Sequence, residues 1–224
     1  MERIRIFFCT NFIIILSVTN LIAQQSWYWQ NPLPQGHTLN DVQMFDENTA
    51  IAVGEAGTII KTTDGGINWA SQTSGTSDEL NSVYFIDSNT GWIVGRGSTI
   101  LKTTNGGTNW TPQGSQNYDP LYSVFFISSN TGWIAGDDGT ILNTIDGGTT
   151  WTFQLGGLSG GILSIYFTDE NKGCAVGAFG RILTTTDGGT NWNTQSSGTS
   201  THLFGVYFID SNTGWAVGLG IILK

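Results

Sequence analysis

Three observations predict an all-β fold of repeated four-stranded antiparallel blades, a β-propeller. The first is a period: Trp69, Trp110, Trp151 and Trp192 stand 41 residues apart, as do Gly54, Gly95, Gly136, Gly177 and Gly218. Val42, Val83, Val124, Ile165 and Val206 keep the same spacing, and self-similarity without insertion is the mark of a repeat architecture. The second is that each unit holds four short apolar runs separated by turn residues, and the third is that no stretch follows a helical period. A unit of this length and strand count matches a propeller blade. A β-helix or other solenoid is the alternative, but such repeats are shorter with fewer turns, and the Asp-Gly-Gly hairpins here call for antiparallel pairing. About five blades are expected, at about 38–70, 79–111, 120–152, 161–193 and a partial one at 202–224, in an incomplete ring.

The elements follow in order. Arg3 and Arg5 precede a mostly apolar run from Ile6 to Val18, and Leu21-Ile22-Ala23 offers a small residue before Gln24. Residues 1–23 therefore read as a secretory signal peptide, too short and too interrupted by Thr10-Asn11 for a permanent transmembrane span. The expected location is secreted, periplasmic or cell-surface, with no transmembrane segment after cleavage. Cys9 leaves with the signal and Cys174 remains alone, so no internal disulfide can form. Trp27-Tyr28-Trp29-Gln30 resembles a lone fourth strand, expected to close the ring as an N-terminal strand over 26–30. In the second unit Leu80 to Ile86 is a strand, Asp87 to Gly91 a turn, Trp92 to Gly95 a strand, Arg96-Gly97-Ser98 a turn and Thr99 to Thr103 a strand. Asn105-Gly106-Gly107 then introduces a fourth strand, expected to carry Trp110. The fifth unit stops at Lys224 after its third strand, and two readings are open: a fragment of a longer propeller, which is favoured, or a five-bladed ring.

Composition limits the function. The chain of 224 residues has 31 Gly, 39% apolar residues, eight Lys plus Arg and 17 Asp plus Glu. That is a globular composition, not a disordered or collagen-like one. Without residues 1–23, six cations face sixteen carboxylates. No basic stripe is left to neutralise phosphates, so a nucleic-acid partner is not expected, and the balance favours a cationic or neutral one.

Thr62-Thr63-Asp64-Gly65-Gly66-Ile67-Asn68-Trp69 resembles the Asp box, or bacterial neuraminidase repeat (BNR), and recurs at 103–110, 144–151 and 185–192. The structural positions are Asp64, Gly66 and Trp69; Asn105, Gly107 and Trp110; Asp146, Gly148 and Trp151; and Asp187, Gly189 and Trp192. The carboxylate accepts N–H groups of its own turn, the glycine takes the open conformation and the Trp covers the hairpin; Asn105 keeps part of that capacity. With Tyr84-Phe85-Ile86-Asp87 and Thr90-Gly91-Trp92-Ile93-Val94-Gly95, the box is similar to photosystem II stability/assembly factor-like repeats from about residue 38 to 224. That resemblance implies a non-catalytic scaffold binding a partner protein. Its photosynthetic members bind through an arginine-bearing face, whereas Arg96 and Arg181 are the only arginines left in this chain after signal removal.

Plain structural roles compete with each candidate site chemistry. The four periodic Trp residues read as hairpin covers before sugar platforms, and Cys174, in the slot of Trp92, Trp133 and Trp215, reads as a small hydrophobe that leaves a weaker spot. Gly157-Leu158-Ser159-Gly160-Gly161 fits G-x-S-x-G but lies between blades, without the helix a nucleophile elbow needs. His37 and His202 are the only histidines, and no metal site or cofactor is expected. Asp87 to Gly91 resembles a calcium loop but lacks its distal Glu. A sialidase needs three arginines on its substrate carboxylate. A carboxylate-pair glycosidase has Asp41, Glu55, Glu79, Asp119, Asp137 and Asp138 available, with no spacing that selects a pair. No catalytic residue is therefore assigned.

In a propeller the near-identical turns share one face and the divergent ones the other. The divergent loops carry Glu55, Arg96, Tyr118, Asp119, Asp137, Asp138, Phe179, Arg181 and His202, the expected binding residues for a protein or glycan; drift of unconstrained loops is the competing account. The alternative function is a secreted glycoside hydrolase, sialidase-like, with part of its catalytic set missing from this chain.

Overall fold

The computed structural model describes residues 36–114 and 120–224. The expected signal peptide, the closing strand at 26–30, Tyr118 and Asp119 lie outside them. Blade 1 consists of β1 (Leu39–Met44), β2 (Ala50–Gly54), β3 (Ile59–Thr62) and β4 (Ala70–Gln72). Blade 2 has β5 (Leu80–Phe85), β6 (Gly91–Gly95), β7 (Ile100–Thr103) and β8 (Thr111–Pro112). Blade 3 has β9 (Leu121–Phe126), β10 (Gly132–Gly136), β11 (Ile141–Thr144) and β12 (Thr152–Leu155). Blade 4 has β13 (Ile162–Phe167), β14 (Gly173–Gly177), β15 (Ile182–Thr185) and β16 (Asn193–Gln195), and blade 5 has β17 (Leu203–Phe208), β18 (Gly214–Gly218) and β19 (Ile221–Leu223). Each sheet is antiparallel in chain order, four with four strands and the last with three. All belong to one compact unit, Leu33–Lys224.

Two details differ from the sequence expectation. The box Trp residues precede the fourth strands instead of lying in them, because the box is a wide loop that folds back on its own carboxylate before pairing resumes. The turns between second and third strands tighten into single 3-10 turns at Glu55–Gly57, Asp137–Gly139 and Ala178–Gly180.

The core lies between blades, not within them. Ile51, Val53 and Ile59 of blade 1 pack against Val83, Phe85, Ile93 and Leu101 of blade 2, and the pattern repeats at the later junctions. A strand buried on both faces explains the unbroken apolar runs of the second strands. First strands touch in succession, β1 with β5, β5 with β9, β9 with β13 and β13 with β17, so they form the inner layer. Polar side chains tie these strands across junctions. Asp41 accepts the Val83 N–H at 2.9 Å, Ser123 that of Ile165 at 3.3 Å and Ser164 that of Val206 at 3.2 Å. Gln43 mimics a strand, donating to Phe85 O at 3.0 Å and accepting its N–H at 2.7 Å. Burial pushes the Asp41 carboxyl above its usual range, against the lowering effect of the Val83 and Val42 N–H groups.

No closed ring is formed by the described residues. Val83 is 5% exposed inside a junction, whereas its repeat mate Val42 is 58% exposed, and Tyr207 and Ile222 stand open on blade 5. No helix among the described residues is long and apolar enough to cross a membrane.

Candidate functional site

One end of the blades is uniform and latched. In the first box the Thr62 hydroxyl donates to Asp64 Oδ1 at 2.9 Å and accepts the Gly66 N–H at 2.9 Å, while Asp64 accepts the N–H of Asn68 at 2.9 Å. The third and fourth boxes repeat this arrangement, and Asn105 in the second keeps the backbone bond, from the Asn109 N–H at 2.9 Å. The Thr150 hydroxyl and N–H hold Asp146 down to about 2. Gly65, Gly106, Gly147 and Gly188 donate to carbonyls of the first-to-second-strand turns, at Asn48, Asn89, Asn130 and Asn171, so both turn sets share this end. Three of those turns are closed by their own Asp, as where Asp87 Oδ1 accepts the N–H groups of Asn89 and Thr90, each at 2.7 Å, and the turn at Asn130 by the Ser128 hydroxyl, which accepts the Asn130 and Thr131 N–H groups at 3.3 and 3.0 Å. The box also receives the preceding blade. Trp92 Nε1–H donates to Gly147 O at 3.1 Å and Trp133 Nε1–H to Gly188 O at 3.1 Å; Lys61 Nζ reaches Gly106 O at 2.7 Å and Lys102 Nζ reaches Gly147 O at 2.8 Å.

The other end gathers the divergent loops. Glu55, Arg96, Asp137 and Ala178 each donate a backbone N–H to the carbonyl of the residue that leads into their own blade, Thr38, Glu79, Pro120 and Gly161. This bonding places the second-to-third-strand turns beside the inter-blade loops. On that frame the side chains differ. Glu55 accepts the Thr38 N–H at 3.3 Å. Arg96 pairs with Glu79 at 2.7 Å, and Asn40 donates to the other Glu79 oxygen at 3.2 Å. Asp138 presents its side chain at φ 49°, and its carbonyl accepts the Leu158 N–H at 2.8 Å. Arg181 is fixed by Gly160 O at 2.9 Å and Ser159 O at 3.0 Å, which places the G-x-S-x-G stretch in a loop bound by an arginine and followed by strand β13.

Phe179 stands out. It is 58% exposed with φ 59°, a left-handed conformation that a bulky side chain adopts only where surrounding structure enforces it. Its ring meets His202 edge-on at 5.4 Å, His202 faces exposed Phe204 at 6.3 Å, and His202 Nδ1 accepts the Phe179 N–H at 3.4 Å. A cavity of about 530 Å³ opens beside Phe179 and Arg181, walled by Gln195, Ser197 and Thr199. Loops thus bring together Arg96 with Glu79 and Phe179 with His202. Sequence reasoning missed Phe204 and Asn40 because both lie on first strands, where a loop-based comparison does not look; their signal was divergence at one strand position, occupied by Asn40, Asn81, Tyr122, Leu163 and Phe204.

Inter-blade cores, latched Asp boxes and four-stranded sheets define a BNR-type β-propeller. Residues 20–117 match the family model described as photosynthesis system II assembly factor YCF48. The match spans a little under half of the chain, and over that stretch the repeats are similar to this photosystem II assembly factor-like, BNR-type propeller family. Among solved structures it is similar to YCF48 bound to D1 peptide, with 24% identity, TM-score 0.66 and coverage of 83% of this chain and 62% of that one. The chain thus spans about three fifths of that structure's length. It is also similar to the GH74 enzyme of Niastella koreensis (18% identity, TM-score 0.63, 80% of this chain and 34% of that one). The WD40 propeller domain of Doa1 is a third likeness (16%, TM-score 0.65, 85% of this chain and 69% of that one). No curated protein sequence matches the chain.

Proposed function

We propose that this chain is an exported, non-catalytic propeller scaffold that binds a protein partner on its divergent end. The observation that carries this reading is Phe179, an exposed aromatic held in a costly backbone conformation beside His202 and a cavity, on a rigid frame whose opposite end is spent on latches. Large rigid aromatics on fixed loops are the anchors that protein recognition uses. A structural neighbour with a bound peptide supports the class of partner. The acidic balance favours a partner segment that is neutral or cationic.

Peptides selected from a random display library on the purified full chain provide the test. Charge reversal at Asp137 and Asp138 with Tyr118→Ala, and separately Phe179→Ala, should weaken their binding at least about tenfold, the range of an anchor residue. Unchanged affinity in both variants rejects the divergent end as the site. Release of sugar from a glycan panel rejects the non-catalytic role and favours the glycoside hydrolase. The export step is checked by intact mass of the exported product, which should begin at Gln24; a product retaining residues 1–23 rejects it.

A further inference from the structure

The aromatic anchor of the divergent end is held by an imidazole. The frame of the second-to-third-strand turn is common to the blades, since Ala56, Asp138 and Phe179 occupy its tip at φ 53°, 49° and 59°. The residue that leads into the next blade is Glu79 after Ala56, Gly161 after Asp138 and His202 after Phe179, so of these three tips only Phe179 is followed by a histidine. His202 Nδ1 accepts the Phe179 N–H at 3.4 Å, which puts the proton of the neutral ring on Nε2, and the two rings meet edge-on at 5.4 Å. The Phe179 ring also lies against Gly160, where an added Cβ would come within 2.9 Å of Phe179 Cε2. Along the chain His202 faces the Phe204 ring at 6.3 Å. No carboxylate stands on the elements packed against it. The turn Ala178–Gly180 is uncharged and is followed by Arg181, whose guanidinium donates to Gly160 O and Ser159 O. Strands β13, β14, β17 and β18 carry Tyr166, Cys174 and Tyr207 as their titratable side chains, and residues 196–201 carry none.

We propose that His202 makes partner binding at the divergent end acid-sensitive: neutral, it fixes the Phe179 ring in the site, and protonated, it frees that ring and sets a positive charge beside it. Such a release presupposes the partner site proposed at that end. Two effects of one proton act in the same direction. A proton on Nδ1 turns the acceptor into a donor that faces the Phe179 N–H, so the bond is lost. The imidazolium also stands among exposed Phe179 and Phe204 with no carboxylate on the packed elements and Arg181 already close in the chain, and an uncompensated cation repels the neutral-or-cationic segment favoured there. The turn itself keeps its frame through the Ala178 N–H on Gly161 O at 3.0 Å and the Arg181 N–H on Ala178 O at 3.1 Å, so the change is confined to the anchor. An imidazole changes charge at about pH 5–8, above the range in which the turn carboxylates are protonated, so the blades stay folded while the anchor responds.

The probes are library-selected peptides that contain no His, Asp or Glu, with their affinity for the full chain followed from about pH 7.5 to about pH 5.5. Wild type should lose affinity about threefold to tenfold over that interval, the size of one hydrogen bond and an adjacent charge. His202→Asn places a side-chain oxygen where Nδ1 stands and does not titrate, so its affinity should stay level across the interval. His37 is the other histidine of the chain and remains in that variant, so any slope the variant keeps belongs to His37. In the free chain, magnetisation transfer between the Phe179 and His202 rings should be present at the upper pH and weaken at the lower. Level wild-type affinity, or an equal slope in His202→Asn, overturns the proposal. If no peptide binds at any pH, the partner site itself is rejected, and the ring transfer then decides the release: weakening in acid upholds it, and transfer unchanged in acid overturns it.

Discussion

Trp133→Ala should lower the unfolding free energy by about 3–5 kcal/mol, a large part of the roughly 5–15 kcal/mol that holds a domain. The side chain is 1% exposed, lies on Phe167 at 3.4 Å and donates its Nε1–H to Gly188 O at 3.1 Å, so truncation removes packing and leaves a buried carbonyl short of a donor. Gln154 Nε2 also reaches Gly188 O, at 2.9 Å, which limits the second cost but not the cavity. Each blade contacts its neighbours, and the array behaves as a one-dimensional chain of junctions. Loss of one junction should therefore split denaturant unfolding into two transitions, with blades 4 and 5 separating from blades 1 to 3. A single transition displaced by less than about 1 kcal/mol would show that the stacked indole does not hold the junction.

Acid should unfold the chain through its turn carboxylates. Hydrogen bonds from turn N–H, hydroxyl and amide groups hold Asp46, Asp64, Asp87, Asp146, Asp169, Asp187 and Asp210 below the usual 3.8. A group whose carboxyl is depressed by folding contributes stability that is complete above its unfolded value and is lost as pH falls through its folded value. The window therefore opens near 3.8 and runs down to about 2, the value at Asp146. Asp41 acts in the opposite sense, since burial raises it and protonation relieves that cost. One raised group against seven depressed ones leaves a net loss on acidification. Denaturant midpoints should be flat from pH 7 to about 5 and fall steeply below about 4. Asp146→Asn should reduce the steepness, as Asn105 already does in the second box. A midpoint that stays level down to about pH 2.5 would mean that the unfolded chain keeps the same turns.

These two expectations separate what the repeat encodes from what assembly adds. Asp64, Thr62 and Gly66 close a loop among themselves, within a few residues, so a turn bonded to its own carboxylate was legible from the chain alone, whereas the Thr62 hydroxyl that donates to Asp64 and accepts the Gly66 N–H came only with the structure. The divergent positions were legible as a list, by comparing units, but not as pairs. Nothing in the spacing announced that Arg96 meets Glu79 or that Phe179 meets His202. Tyr118 and Asp119 lie outside the described residues.

The amino-acid sequence by itself determined the period, the strand content, the antiparallel hairpins and the uniform turns, because each is a local event: alternation sets a strand, and Asp with Gly sets a turn. Only the tertiary structure decided where the core lies, since every blade is buried by its neighbours and burial depends on residues 41 or 42 positions away. It also decided that the buried Trp92 and Trp133 act through carbonyls of the following blade, and that Cys174 packs in the core between blades 4 and 5 with Val176, Leu203 and Ala216. The reason is physical. A side chain's cost or gain is set by the volume and polarity it meets, and that volume exists only after two blades have closed on it.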